Sequence, residues 1–381
     1  MNDERASRRR GGADPTADAD AEATTPRAPG PINLNRYGVE VSWAGIQTFM
    51  KLPVCQTPED LRAGRIDVAI GGAPWDGTNM DRGGAHLGPR AIRAAGVLSP
   101  PYDRPHQHTR VDPFSELRVC DYADAEIVVG DSKRTYDNIR AFVSEILEGG
   151  AIPIILGGDH GITWPSATAV ANSYGFGNIG IVHFDAHADT ASDFKGNLYS
   201  NGSPVRRLVE SRAIRGADVV QVGLRGYWQG PDVREWMDDQ AIRTHYMAEV
   251  DIAGFGEVLN RVINEALEGP ENVYLTVDID SVDPAYAPGT GAPEPGGLSS
   301  RELLQGVRRV AAEVGIVAMD VVEVSPPYDT GIGITAKLAH YCVLEALTGI
   351  AMRRRGLTAP NYVDALAAGR QTRAAETGAE S

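Results

Sequence analysis

Cysteine is nearly absent: the 381-residue chain holds 3, namely Cys55, Cys120 and Cys342, widely separated and odd in number. No closely spaced thiol pair exists, which argues against a thiolate zinc site, and so few free thiols suit a reducing compartment. Long apolar runs are also missing. No stretch approaches the ~20 apolar residues of a membrane span. The opening residues carry Arg8-Arg9-Arg10 without the apolar segment that would make a secretory signal. Segments 1–36 and 370–381 offer little to bury and read as disordered tails. The expected location is cytoplasmic. Positive charge is in deficit, with 36 basic against 51 acidic side chains and a net charge of −15. Such a surface repels nucleic acid and anionic lipid and suits a small neutral or cationic ligand. No linker and no repeat interrupts residues 37–369, which read as one domain.

What the chain does contain is an alternation. Short Val- and Ile-rich runs lie at Ile66–Gly71, Leu117–Cys120, Ile152–Leu156, Ile179–Phe184, Val219–Val222, Thr244–Met247, Val273–Val277 and Ile316–Val324. Continuous apolar runs bounded by Gly, Asp or Pro fit strands buried on both faces. Between them lie helical patterns at Ser132–Glu148, Phe255–Leu267, Ser299–Val314 (with Ser300 as expected N-cap) and Ala336–Arg355. Strands alternating with helices predict an α/β fold: a three-layer αβα domain around a parallel sheet of about eight strands. Ligands gather beyond the carboxyl ends of such strands.

Three run ends carry metal-type ligands. In IGIVHFDAHADT, Asp185, His187 and Asp189 alternate along extended chain and so share a face. In VYLTVDIDSVDP, Asp278 and Asp280 do the same, while Asp283 is placed to cap the turn. In IPIILGGDHGITWP, two glycines precede Asp159 and His160, with His160 placed to ligate and Asp159 to support it. His183 lies one step back in its strand and is expected to pack or support. His86, His106, His108 and His245 show no partner pattern and read as surface or loop, and His340 as a structural helix residue. The set His160, Asp185, His187, Asp189, Asp278 and Asp280 is too large for one tetrahedral zinc. It suits two divalent ions ~3.5–4 Å apart. Mn²⁺ is favoured by the oxygen-rich donors, with Ni²⁺ among the alternatives.

With these residues in view, the sequence resembles the ureohydrolase family: arginases, agmatinases and other guanidino-compound hydrolases. The motifs GGDH, FDAHADT and DIDSVDPAYAPGTGAPEPGGL occur in the family's order, and the likeness runs from Gly72–Ala95 to Met319–Asp329. The resemblance implies the arginase fold, a homotrimer or homohexamer, and two Mn²⁺ or, in some members, Ni²⁺. It assigns His160, Asp185, Asp189 and Asp278 to one metal, and Asp185, His187, Asp278 and Asp280 to the other. It makes Asp189 and Glu323 the catalytic carboxylates, Asp189 holding the attacking water and Glu323 gripping the guanidinium.

Three departures stand out. Asn201 replaces a family histidine; it can hydrogen-bond substrate but cannot shuttle a proton near neutral pH. Gly161 stands where serine is common. Ala191 replaces the asparagine that reads the amino-acid end of arginine in arginases, which argues against L-arginine. The YAPGTGAPEPGGL and SPPYD segments look like agmatinases. The expected activity is therefore hydrolysis of agmatine to putrescine and urea, with guanidine, guanidinobutyrate or another small guanidino compound as alternative substrates. A non-catalytic partner subunit is the reading from another class, and a fold-sharing zinc deacetylase is disfavoured by the ligand count. Segments 75–87, 198–206 and 43–49 are expected at the pocket entrance, with Trp43, Trp75 and Trp164 as possible walls or core.

Overall fold

The computed structural model describes residues 27–38, 41–96, 105–227 and 230–365. Residues 1–26 and 370–381 of the expected tails lie outside that set. Residues 27–36 are engaged: Ile32 forms an antiparallel bridge with Val54, and Arg27 pairs with the buried Asp60 at 2.8 Å.

All eight apolar runs form strands: β1 (Val68–Ala73), β2 (Val119–Asp124), β3 (Ile152–Gly157), β4 (Ile179–Phe184), β5 (Val219–Leu224), β6 (Arg243–Tyr246), β7 (Asn272–Asp278) and β8 (Ala318–Val322). They make one parallel sheet in the order β2-β1-β3-β8-β7-β4-β5-β6. Side-chain alternation sends Ile154, Leu156, Val182, Phe184, Leu275 and Val277 to one face. It sends Ile155, Ile179, Ile181 and Tyr274 to the other. Helices Phe255–Leu267, Ser300–Arg309 and Ile334–Arg354 cover the first face. Helices Ser132–Glu148, Thr163–Tyr174 and Pro204–Glu210 cover the second. The sheet is thus buried on both sides, as its unbroken apolar strands require.

The chain leaves β3 and re-enters the sheet at β4, and β8 and β7 later fill the gap between them. The four central strands therefore end side by side, and loops from all four share one crevice. Among the described residues, no helix is long and apolar enough to cross a membrane.

Some local expectations change. The N-cap near position 300 is Ser299: it accepts from Glu302 N while Glu302 closes back on the Ser299 N–H at 2.8 Å. The reciprocal pair satisfies two helix-end donors at once, which Ser300 could not do. The expected helix to Val314 is α-helical only to Arg309 and ends in a π turn, Val310–Val314, closed by Gly315 in the left-handed region. His245 is not a surface residue. It is buried on β6 between Glu249 (2.8 Å) and Glu265 (3.0 Å). His340 is structural as expected, stacked on Phe49 with ring centroids 4.3 Å apart and bonded to Ile92 O.

Replacing Ser299 by Ala is expected to lower unfolding free energy by about 1 kcal/mol. Ser300→Ala should stay within ~0.5 kcal/mol. Urea titrations of the two variants check the assignment.

Candidate metal centre

The end of β3 turns sharply through Gly157-Gly158, where a side chain at 158 would run into the backbone of Trp75. His160 follows, fully buried. Its Nε2 meets Thr276 Oγ1 on β7 at 2.9 Å, which turns Nδ1 the other way. Nδ1 makes no hydrogen bond, yet lies 3.0 Å from Asp185 Oδ2, 2.9 Å from Asp189 Oδ2 and 3.2 Å from Asp278 Oδ2.

A second group sits beside the first. His187 Nδ1 lies 3.2 Å from Asp280 Oδ2 and 3.5 Å from Asp185 Oδ1. Asp185 gives one oxygen to each group. Backbone amides orient the carboxylates: His187 N donates to Asp185 Oδ1 (2.6 Å), Ala186 N to Asp280 Oδ1 (3.2 Å) and Asp280 N to Asp278 Oδ1 (2.9 Å). All six residues expected as ligands are thus brought together. Asp278 reaches the first group through Oδ2, its other oxygen being taken by the Asp280 amide.

His183 lies within ligand distance of the first group. Its nitrogens are nonetheless occupied. Gln221 Nε2 donates to Nδ1 at 2.8 Å and also to Ala188 O at 2.7 Å, so Nε2 carries the proton and donates to Asp185 Oδ2 at 2.7 Å. Both His183 nitrogens are thus engaged, and the ring braces Asp185 from behind. Gln221 behind it had no sequence signal beyond its place on a buried strand.

The electrostatics fit a cation. Burial, then the nearby Asp280 and Asp185, push the Asp278 carboxyl well above its usual range. Burial likewise raises Asp280. Burial alone would lower His187, but Asp280 and Asp185 outweigh it and push it up to about 12. His160 is held well above its ordinary value because Asp189, Asp185 and Asp278 outweigh its burial. Asp185 goes the other way: despite burial, His183, His160 and His187 hold it well below the carboxylate range. Asp278, Asp280 and the two imidazoles are thus biased toward their protonated forms, and a divalent ion can replace those protons. Two imidazoles and four carboxylates are a donor set for such ions.

A cavity of about 360 Å³ opens above the two groups, lined by His187, Asp189, Asp278, Asp280, Asn201 and Glu323 at its base. Its outer walls include Met80, Phe194 and Val233. Glu323 lies just past β8, with Oε1 accepting from His160 N (2.9 Å) and Asn201 Nδ2 (3.0 Å). Burial, then Asp159, push its carboxyl up to about 8.

Other expectations change here. Asp159 does not bond to the His160 ring; it accepts from Thr78 N, Thr78 Oγ1 and Gly161 N. Asp283 caps its turn through Ala285 N and Gly296 N. Segments 75–87 and 198–206 do line the cavity, through Asn79, Met80, Asp81, Asn201 and Gly202, but segment 43–49 does not. None of the three tryptophans is a wall: Trp43 is 83% exposed, Trp75 is core, and Trp164 stacks on Tyr199 with centroids 5.0 Å apart. Phe194, in the loop after Asp189, and Val233, on the helix Pro231–Asp239, had no sequence signal, because nothing in the chain marks which segments fold over the site.

Residues 66–349 match the model of the Arginase family. A guanidinopropionase from Pseudomonas aeruginosa is 37% identical over 306 residues, covering 80% of this chain and 92% of that protein. A mitochondrial agmatinase from Gallus gallus is 36% identical over 303 residues, covering 80% and 85%. Among solved structures, proclavaminate amidino hydrolase from Streptomyces clavuligerus superposes with a TM-score of 0.71 at 34% identity, covering 82% of this chain and 100% of that one. A hypothetical agmatinase from Burkholderia thailandensis gives 0.73 at 33%, covering 86% and 99%. An eight-stranded parallel sheet, buried His–Asp groups at its central strand ends and a family match across most of the body agree, and the chain belongs to the arginase family, the metal-dependent amidinohydrolases of guanidino compounds.

Proposed function

We propose that the chain hydrolyses agmatine to putrescine and urea, using two divalent ions, Mn²⁺ by preference and Ni²⁺ as the alternative. The observation that carries this reading is the cavity lining. Both carboxylate groups and Glu323 form the base, Met80, Phe194 and Val233 give apolar walls, and Asp81 stands at the rim. No lysine or arginine is among the described lining residues. An aliphatic guanidine with a cationic tail fits that lining; one with a carboxylate tail would meet no cation among the lining side chains, Arg82 beside them already lying 3.8 Å from Asp81.

His160, Asp185, Asp189 and Asp278 would hold one ion, and His187, Asp280 and the second oxygen of Asp185 the other. Bound, the pair supplies Lewis acidity and makes water a nucleophile near neutral pH. The residues do the rest. Glu323 pairs with the guanidinium and sets its plane over the base of the cavity. The incoming cation also draws Glu323 from about 8 back to its ionised form. Asp189 faces the cavity and accepts the proton of the attacking water. After attack the central carbon is tetrahedral, and the same proton passes to the amine nitrogen as its C–N bond breaks. Asn201 beside Glu323 touches the substrate.

Metal-loaded protein is expected to release urea from agmatine with kcat/KM at least ~10-fold above that for 3-guanidinopropionate or 4-guanidinobutyrate. Equal or better turnover of the acids overturns the substrate assignment. Asp185→Asn should lower turnover by at least ~100-fold, since it removes the charge and replaces one of the two oxygens by which Asp185 joins the groups. Failure to bind any metal would leave the chain as a non-catalytic partner subunit.

Loading should release protons. Asp278, Asp280, His160 and His187 are all raised, so each ion displaces protons and affinity climbs as pH rises. Calorimetry in two buffers of different ionisation enthalpy measures the release; a heat independent of buffer contradicts it.

A further inference from the structure

Two oxygens at the base of the cavity are buried and make no hydrogen bond: Glu323 Oε2 and Asn201 Oδ1. Their side chains are already joined, Asn201 Nδ2 donating to Glu323 Oε1 at 3.0 Å. Oε1 also accepts from His160 N at 2.9 Å, so it is held as an acceptor twice over. That bond orients the amide. Turning Asn201 over would set oxygen against oxygen, so Oδ1 must face away from Oε1 and remain an acceptor. With Glu323 ionised by an incoming cation both oxygens are acceptors, and two unpaired buried acceptors on linked side chains call for a ligand with donors. Gly291, Asn201 and Glu323 all line the cavity, which brings both oxygens within reach of a ligand there.

We propose that Asn201 is a specificity-determining residue, its Oδ1 and Glu323 Oε2 forming a two-acceptor edge that reads the N–H groups of a guanidinium. The chain therefore selects guanidines that keep free N–H groups on adjacent nitrogens over those alkylated there. This rests on Glu323 being the guanidinium partner. Histidine at this position would offer an acceptor only while neutral; asparagine offers one at any pH.

The neighbouring loop holds Asn201 in place. Its backbone N donates to Thr78 O at 3.1 Å. Thr78 in turn donates through N (3.0 Å) and Oγ1 (2.7 Å) to Asp159 Oδ2, and its hydroxyl meets Tyr136 OH at 3.0 Å. Gly161 makes the room. A Cβ there would stand 2.6 Å from Thr78 Oγ1 and collide with the Tyr136 hydroxyl. Thr78 and Asp159 are thus positioning residues, and the two departures at 161 and 201 are one arrangement.

The test is KM and kcat for agmatine, or for the best substrate of the urea-release panel, together with inhibition by guanidinium chloride, on metal-loaded full-length protein. Asn201→Leu removes the amide's acceptor and donor while keeping the same branched heavy-atom skeleton. Its KM and inhibition constant should rise about 10–100-fold, with kcat, metal content and melting temperature little changed. Asn201→His keeps a donor toward Glu323 Oε1 and, while neutral, an acceptor, and should recover much of that loss at alkaline pH. Gly161→Ser, which displaces Thr78, should raise KM in the same direction with kcat held. The proposal is overturned if Asn201→Leu leaves both constants within ~3-fold, or if Asn201→His with its ring neutral is as damaging as Asn201→Leu. Glu323→Gln separates the two claims. Unchanged binding in that variant removes the guanidinium reading itself, whereas loss there with none in Asn201→Leu removes only the role of Asn201.

Discussion

Four carboxylates, those of Asp185, Asp189, Asp278 and Asp280, are forced together in a place with almost no water. Buried charge of one sign is costly, and a parallel sheet cannot relieve it by moving the strands apart. Much of the surrounding structure answers this crowding. Backbone amides of residues 186, 187 and 280 point at the acids. Two imidazoles stand among them, and a third, backed by Gln221, holds Asp185 from behind. Within one small volume Asp185 is held low and Asp278 high, the signature of a site built around positive charge.

Backbone conformation shows the same demand. Asp189 and Glu323 both sit in the left-handed region, at φ 54° and 61°. Glutamate is a poor occupant of that region, and each such residue costs ~1–3 kcal/mol unless its surroundings enforce it. They do: Glu323 N is tied to Gly158 O at 2.9 Å, and Asp189 O accepts from Val205 N at 3.1 Å. The twist folds each carboxylate back over the strand ends instead of letting it follow the chain outward.

Much of this was legible in the sequence because two signals are local. Val- and Ile-rich runs mark buried strands, and acids spaced by two at their ends mark a shared face. Hence the eight strands and the gathering of His160 with the two aspartate motifs. Strand order is not local. Nothing in the chain says that β8 slots beside β3, which is what brings Glu323 to the His160 amide. The same limit hid the Asn201–Glu323 bond, the Asp159–Thr78 link and the wall at Val233, all set by segments distant in sequence. The slip from Ser299 to Ser300 is of another kind: adjacent serines look alike until the Glu302 side chain selects one.

The notch at Gly161 carries an evolutionary corollary. Its emptiness is filled by Thr78 from one loop and Tyr136 from the helix Ser132–Glu148, so a side chain placed there would disturb a residue forty positions away that it never touches. Mutations at 161, 78 and 201 should be epistatic, each tolerable or harmful according to which came first. The ligands open to descendants of this chain then depend on the order of change as well as on its content.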